Sequence, residues 1–173
     1  MKYLFFFIQF FINSYTNAYN ILDYAIPSIE KNFNFCPTIN TNMIDYTFEI
    51  SNDIRFNTNY NFIYKNDNTT QLTICNGDIP NDEKAYTIAY KSSDNLYKKK
   101  EIMLDNYLLT YKYNLYNTLY HELGHSIGLG HSDKAGIMNY SLATDTHYNV
   151  IDDTFKIWLS RDDLNGILFL MKK

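Results

Sequence analysis

Histidine is scarce in this chain, four residues in 173, so the placement of each one is informative. An excess of basic charge is also missing. Fifteen Lys and Arg against 19 Asp and Glu leave a net charge of −4, which argues against a nucleic-acid or anionic-membrane partner. Proline and glycine are too few to build a linker and no internal repeat is present, so the chain reads as one domain after its first residues. Two cysteines, Cys36 and Cys75, permit one bridge at most. Beyond residue 12 no segment is apolar enough to cross a bilayer. Aromatic bulk, by contrast, is plentiful: 17 Tyr and 12 Phe can fill a core.

The one apolar run is at the start. Lys2 precedes Tyr3–Ile12, and the small residues Thr16 and Ala18 form a cleavage pattern that would leave Tyr19 first. The run is too short to span a membrane, so residues 1–18 are expected to be a signal peptide and residues 19–173 a single secreted domain. A retained signal anchor is the alternative. In an oxidising compartment a Cys36–Cys75 disulfide is the simplest expectation. Asn68-Thr69-Thr70 and Asn139-Tyr140-Ser141 match the glycosylation rule, the first in a polar loop and the second too close to the centre described next to be used.

Three of the four histidines fall within eleven residues, His121-Glu122-Leu123-Gly124-His125-Ser126-Ile127-Gly128-Leu129-Gly130-His131. Histidines four apart lie on one side of a helix, so His121 and His125 can reach one metal ion. Gly128 can end that helix in a left-handed turn and bring His131 back as a third nitrogen ligand. Three ligands leave a fourth zinc position open for water, the arrangement of a catalytic rather than a structural ion. Glu122, beside a ligand, is the candidate general base. Leu115, Leu119, Leu123 and Ile127 form an apolar stripe on the opposite side of the same helix, so one face packs while the other presents ligands.

Downstream stand Gly136-Ile137-Met138-Asn139-Tyr140 and then Ser160-Arg161-Asp162-Asp163-Leu164-Asn165-Gly166-Ile167. With these residues the chain resembles the metzincin metallopeptidases. Ser132 after the third histidine and the short gap to Met138 resemble, within that clan, the matrixins (the matrix metalloproteinase family). The resemblance implies a secreted zinc endopeptidase with one catalytic Zn2+ on His121, His125 and His131, Glu122 as base, and Met138 in a tight turn beneath the ligands. Met138 is equally compatible with plain core filling. It also implies an aspartate at the start of a C-terminal helix that holds a processed N-terminus, which Asp162 or Asp163 could do. Capping by Ser160 and the helix dipole explain the same two acids unaided.

The chain departs from the family in several places. Cys36 lies between Phe35 and Pro37, unlike the inhibitory cysteine of a matrixin propeptide, and too little chain precedes the first strand for a prodomain. Only His147 lies outside the tripod, so a second, structural zinc is not expected. Structural calcium is left open, since no acidic loop marks a site. Asn139-Tyr140 replaces the usual Tyr-Pro pair, so Tyr140 is a candidate auxiliary oxyanion residue or a wall of the pocket. A non-catalytic zinc-binding module on the same fold is the rival reading, against which an intact Glu122 argues.

The β-prone runs are Asp45–Ile50, Asp53–Phe56, Gln71–Cys75, Ala85–Tyr90 and Glu101–Asp105, with an early helix near Asn20–Phe33 and Lys98-Lys99-Lys100 read as a solvated loop. Together they give an α+β, zincin-like fold: a twisted five-stranded, mostly parallel sheet with an antiparallel edge strand, packed helices, the catalytic helix after the last strand, the Met-turn and a C-terminal helix. In matrixins the strand before the last one binds substrate in extended form. Here that strand is Ala85–Tyr90, with Ile88 and Ala89 nearest the peptide backbone. The expected partner is thus a protein or peptide, and the domain is expected to be a monomer.

Overall fold

Six buried positions, Met43, Thr47, Ile50, Ser51, Ile54 and Thr58, recur at helical spacing and set the architecture of the N-terminal half. They are the inner face of α1 (Thr41–Thr58), not two strands. The alternation in Asp45–Ile50 is genuine over six residues, but over the longer window the 3.6-residue period wins. Asn40 caps the helix by accepting from the Asn42 N–H, and Asn59 closes it in the left-handed region at φ 65°. Thr47, Ser51 and Thr58 can be buried there because each hydroxyl donates to the carbonyl four residues earlier.

The computed structural model describes residues 21–22, 28–67, 69–80, 84–91, 97–139, 157 and 159–172. Residues 1–18, Asn68, Tyr140 and His147 lie outside them. The sheet contains β1 (Glu30–Phe35), β2 (Asn61–Tyr64), β3 (Leu72–Gly77), β4 (Ala85–Lys91) and β5 (Tyr97–Asp105), in the order β2-β1-β3-β5-β4. All neighbours are parallel except the edge strand β4, which runs antiparallel to β5. Five strands with one antiparallel edge match the expectation, but β1 and β2 replace the two runs that became α1. Of the early helix expected near Asn20–Phe33, residues 20 and 23–27 lie outside the described residues, and its end is β1, whose alternate residues Lys31 and Phe33 are buried.

A 3-10 turn (Asn106–Thr110) leads from β5 into α2 (Lys112–Ile127), and α3 (Arg161–Met171) follows. Helices α1 and α2 pack on each other and on the sheet. Leu115, Leu119, Leu123 and Ile127 are all at most 1% exposed and join Ile50, Ile54, Ile74, Ile102 and Leu104 in one core. The stripe read from the sequence is thus the buried side of α2.

Both ends of the sheet are fastened. The register Phe35↔Ile74 places Cys36 beside Cys75, and the two are disulfide-bonded with Cα atoms 5.1 Å apart. At the other end Lys31 and Lys100 point inward and both donate to the Ser126 carbonyl, at 2.5 and 2.7 Å. Lys100, read from the sequence as part of a solvated loop, is therefore a buried residue of β5. The physical reason is local: the last turn of α2 has carbonyls without intrahelical donors, and an amine N–H satisfies the one at Ser126. Burial holds Lys31 down at about 8 and Lys100, next to it, at about 6.

Candidate metal centre

Helix α2 ends at Gly128, whose φ of 127° is accessible chiefly to glycine and whose N–H closes on the Gly124 carbonyl. The reversal brings His131 back over the helix. His131 Nε2 lies 3.2 Å from His121 Nε2 and 3.2 Å from His125 Nε2. Tetrahedral zinc with Zn–N bonds near 2.05 Å separates its nitrogens by about 3.3 Å, so these spacings fit one ion. The tripod predicted from the motif is assembled.

Tautomers strengthen this assignment. His121 Nδ1 lies 2.6 Å from the Ile137 carbonyl and His125 Nδ1 lies 2.7 Å from the Leu129 carbonyl. A carbonyl only accepts, so each Nδ1 carries the proton and each Nε2 presents a bare lone pair. Lone pairs converging at this distance repel one another unless a cation lies between them. Burial also keeps the rings neutral, pushing His121 down to about 3 and His125 to about 4, and lowering His131. Neutral imidazoles are the form that can ligate a divalent ion.

Glu122, between these ligands in sequence, is 5% exposed. Burial raises its carboxyl to about 7, against the opposing pull of a hydrogen bond from Thr87. Thr87 Oγ1 on β4 lies 2.5 Å from Glu122 Oε2 and 3.3 Å from the Glu122 backbone oxygen.

The floor of the site is built from the Met-turn and α3. Met138 is buried with its Sδ against Gly124, where an added Cβ would overlap it. Asp163 is also buried, and its carboxylate accepts from the Ile137 and Met138 N–H groups at 3.0 and 3.3 Å and from the N–H and hydroxyl of Ser160 at 2.8 Å each. Ile137 thus receives Asp163 on its N–H and supports His121 on its carbonyl. Ser132 donates to Asp162 at 2.7 Å, and its N–H bonds the Met138 carbonyl. Of the two acids at the helix start, Asp163 completes a capping box and braces the turn, and Asp162 takes Ser132.

Gly136 sits at φ 151° where an added Cβ would run into Asp163 Oδ2 and Ser160 Oγ. Gly136→Ala is expected to cost about 2–3 kcal/mol from backbone strain and overlap together. A urea midpoint equal to wild type would show that the turn yields freely.

Ile88 and Ala89 stand on β4, the outermost strand of the sheet among the described residues, with Ile88 partly exposed. The proposed Tyr140 lies outside the described residues. Sequence reasoning missed Thr87, Asp163 as the brace, and the two carbonyls that orient the histidines. The acidic pair after Ser160 was a visible signal for the second. No linear signal marked the others, which depend on sheet register and turn geometry.

Known proteins share stretches of this sequence and its fold. The chain is 41% identical over 61 residues to matrix metalloproteinase-18 of Xenopus laevis, a match covering 35% of this chain and 12% of that protein. It is 44% identical over 55 residues to interstitial collagenase of Equus caballus, covering 32% of this chain and 10% of that protein. The matched stretch is thus about a tenth of each relative's length. A chain of the solved structure described as the GM1 bound form of the ECX AB5 holotoxin superposes with a TM-score of 0.58 at 16% identity, covering 90% of this chain and 85% of that one, a likeness of fold. The family pattern described as Matrixin matches residues 34–171, and the chain belongs to the matrixin family.

Proposed function

We propose that this matrixin domain is a secreted zinc endopeptidase that hydrolyses peptide bonds of extracellular proteins, with Glu122 as general base. The observation that carries the proposal is the tripod: three Nε2 atoms converge on one point, two of them fixed as bare donors by their Nδ1–carbonyl bonds, with a buried carboxylate beside them. A zinc ion on His121, His125 and His131 would acidify water and polarise a substrate carbonyl.

The chain's own residues supply the rest. Among the described residues β4 is paired on one side only, so its outer edge could take an extended peptide at Ile88 and Ala89, and main-chain hydrogen bonds would hold substrates of varied sequence. Glu122 accepts the proton from the attacking water and then gives it to the amide nitrogen as the C–N bond breaks. Tyr140, two residues beyond Met138, stays as the proposed oxyanion or pocket-wall residue. Secretion rests on the apolar run Tyr3–Ile12 and the cleavage pattern after it.

Purified protein is expected to contain one zinc per chain and to cleave a denatured generic protein. Chelation should abolish that activity, stoichiometric zinc should restore it, and a peptide hydroxamate should inhibit it. Cleavage that survives complete removal of zinc would overturn the proposal.

A further inference from the structure

The Thr87–Glu122 contact joins the edge strand to the catalytic helix at the acid that follows His121. A single hydroxyl proton cannot serve both Glu122 oxygens near it, and the closer, charged acceptor at 2.5 Å takes it over the backbone oxygen at 3.3 Å. A glutamate has three rotatable side-chain bonds and loses considerable freedom when held in one pose. Threonine in a strand, by contrast, is stiff at its first torsion and aims its hydroxyl without further ordering.

We propose that Thr87 is the positioning residue of the general base: its hydroxyl holds Glu122 by Oε2 and leaves Oε1 as the oxygen that takes and returns the proton. This rests on the reading of Glu122 as that base. The arrangement makes the two oxygens unequal. Oε2 is engaged by the Thr87 hydroxyl, so Oε1 is the oxygen left to face the substrate side. It also ties catalysis to docking. Thr87 is the neighbour of Ile88 on the strand edge proposed to receive substrate, so a peptide that shifts β4 shifts the anchor of the base with it.

The test uses two variants of the zinc-loaded protein. Thr87→Val keeps shape and removes the donor, while Thr87→Ser keeps the donor. Thr87→Val is expected to lower kcat by about tenfold to a hundredfold with KM within about twofold, the size of loss that misplacing a catalytic group produces. Thr87→Ser should recover to within about threefold of wild type, since the charge-assisted bond survives. In the zinc-free protein the Glu122 carboxylate stretch, identified by its loss in Glu122→Gln, should shift in Thr87→Val and not in Thr87→Ser. Wild-type kcat in Thr87→Val, a Thr87→Ser enzyme as slow as Thr87→Val, or an unshifted band in Thr87→Val would each overturn the proposal. A zinc-loaded wild type that cleaves nothing would instead defeat the peptidase reading, and the infrared comparison would still decide whether Thr87 holds Glu122.

Discussion

Glu122→Gln is expected to leave the protein folded and zinc-loaded yet slow peptide hydrolysis by about a hundredfold to ten-thousandfold, the range that loss of a general base produces. Glutamine fills the same volume, and its amide oxygen can still accept from Thr87 at the position now occupied by Oε2. The histidines keep their carbonyl partners at Ile137 and Leu129, so metal affinity has no reason to fall. What glutamine lacks is an oxygen that can take a proton. Zinc content and kcat/KM on a fluorogenic peptide, measured on the same preparation, check this. A variant that keeps full zinc and most of its activity would mean that the proton leaves by another route.

The second large effect concerns stability. Replacing Cys36 and Cys75 together by serine opens a loop with a sequence separation of 39. Chain-entropy reasoning assigns about 4 kcal/mol to closing a loop of that size. For a domain of this length that corresponds to a fall of roughly 8–16 °C in the thermal midpoint. The bridge joins the end of β1 to its neighbour β3, whose pairing already holds them in register, and it lies apart from the histidines. Zinc stoichiometry should therefore be unaffected at temperatures where the variant is folded. Calorimetry showing an unchanged midpoint would mean that the unfolded chain is already restricted there.

The centre was legible in the sequence because its geometry is local. His121, His125, Gly128 and His131 lie within one helix and the turn that ends it, so spacing alone fixes how the rings converge. Ser160, Asp162 and Asp163 were legible as a helix start for the same reason. The first strands were not. Asp45–Ile50 alternates as a strand would, and only the burial of Met43, Thr47, Ile50 and Ile54 against the sheet and α2 selects the helix. The short β1 and β2 carry little pattern of their own and gain their identity from pairing with each other. Lys100 looked like surface because a lysine run normally is; its place under the end of α2 depends on register with β3. Thr87 is the same case within the site. Its chemistry comes from a partner 35 residues away, across a register that no window on the chain displays.

Asp163 has a further implication for how the molecule is made. Its carboxylate supports the backbone under Met138, and through Ile137 it supports His121, although it follows the last histidine of the tripod by more than two dozen residues. Synthesis proceeds from the N-terminus, so all three ligands leave the ribosome before the acid that steadies their floor. The nascent chain holds all three histidines while it still lacks the brace, and the floor gains its carboxylate only once α3 has emerged and docked.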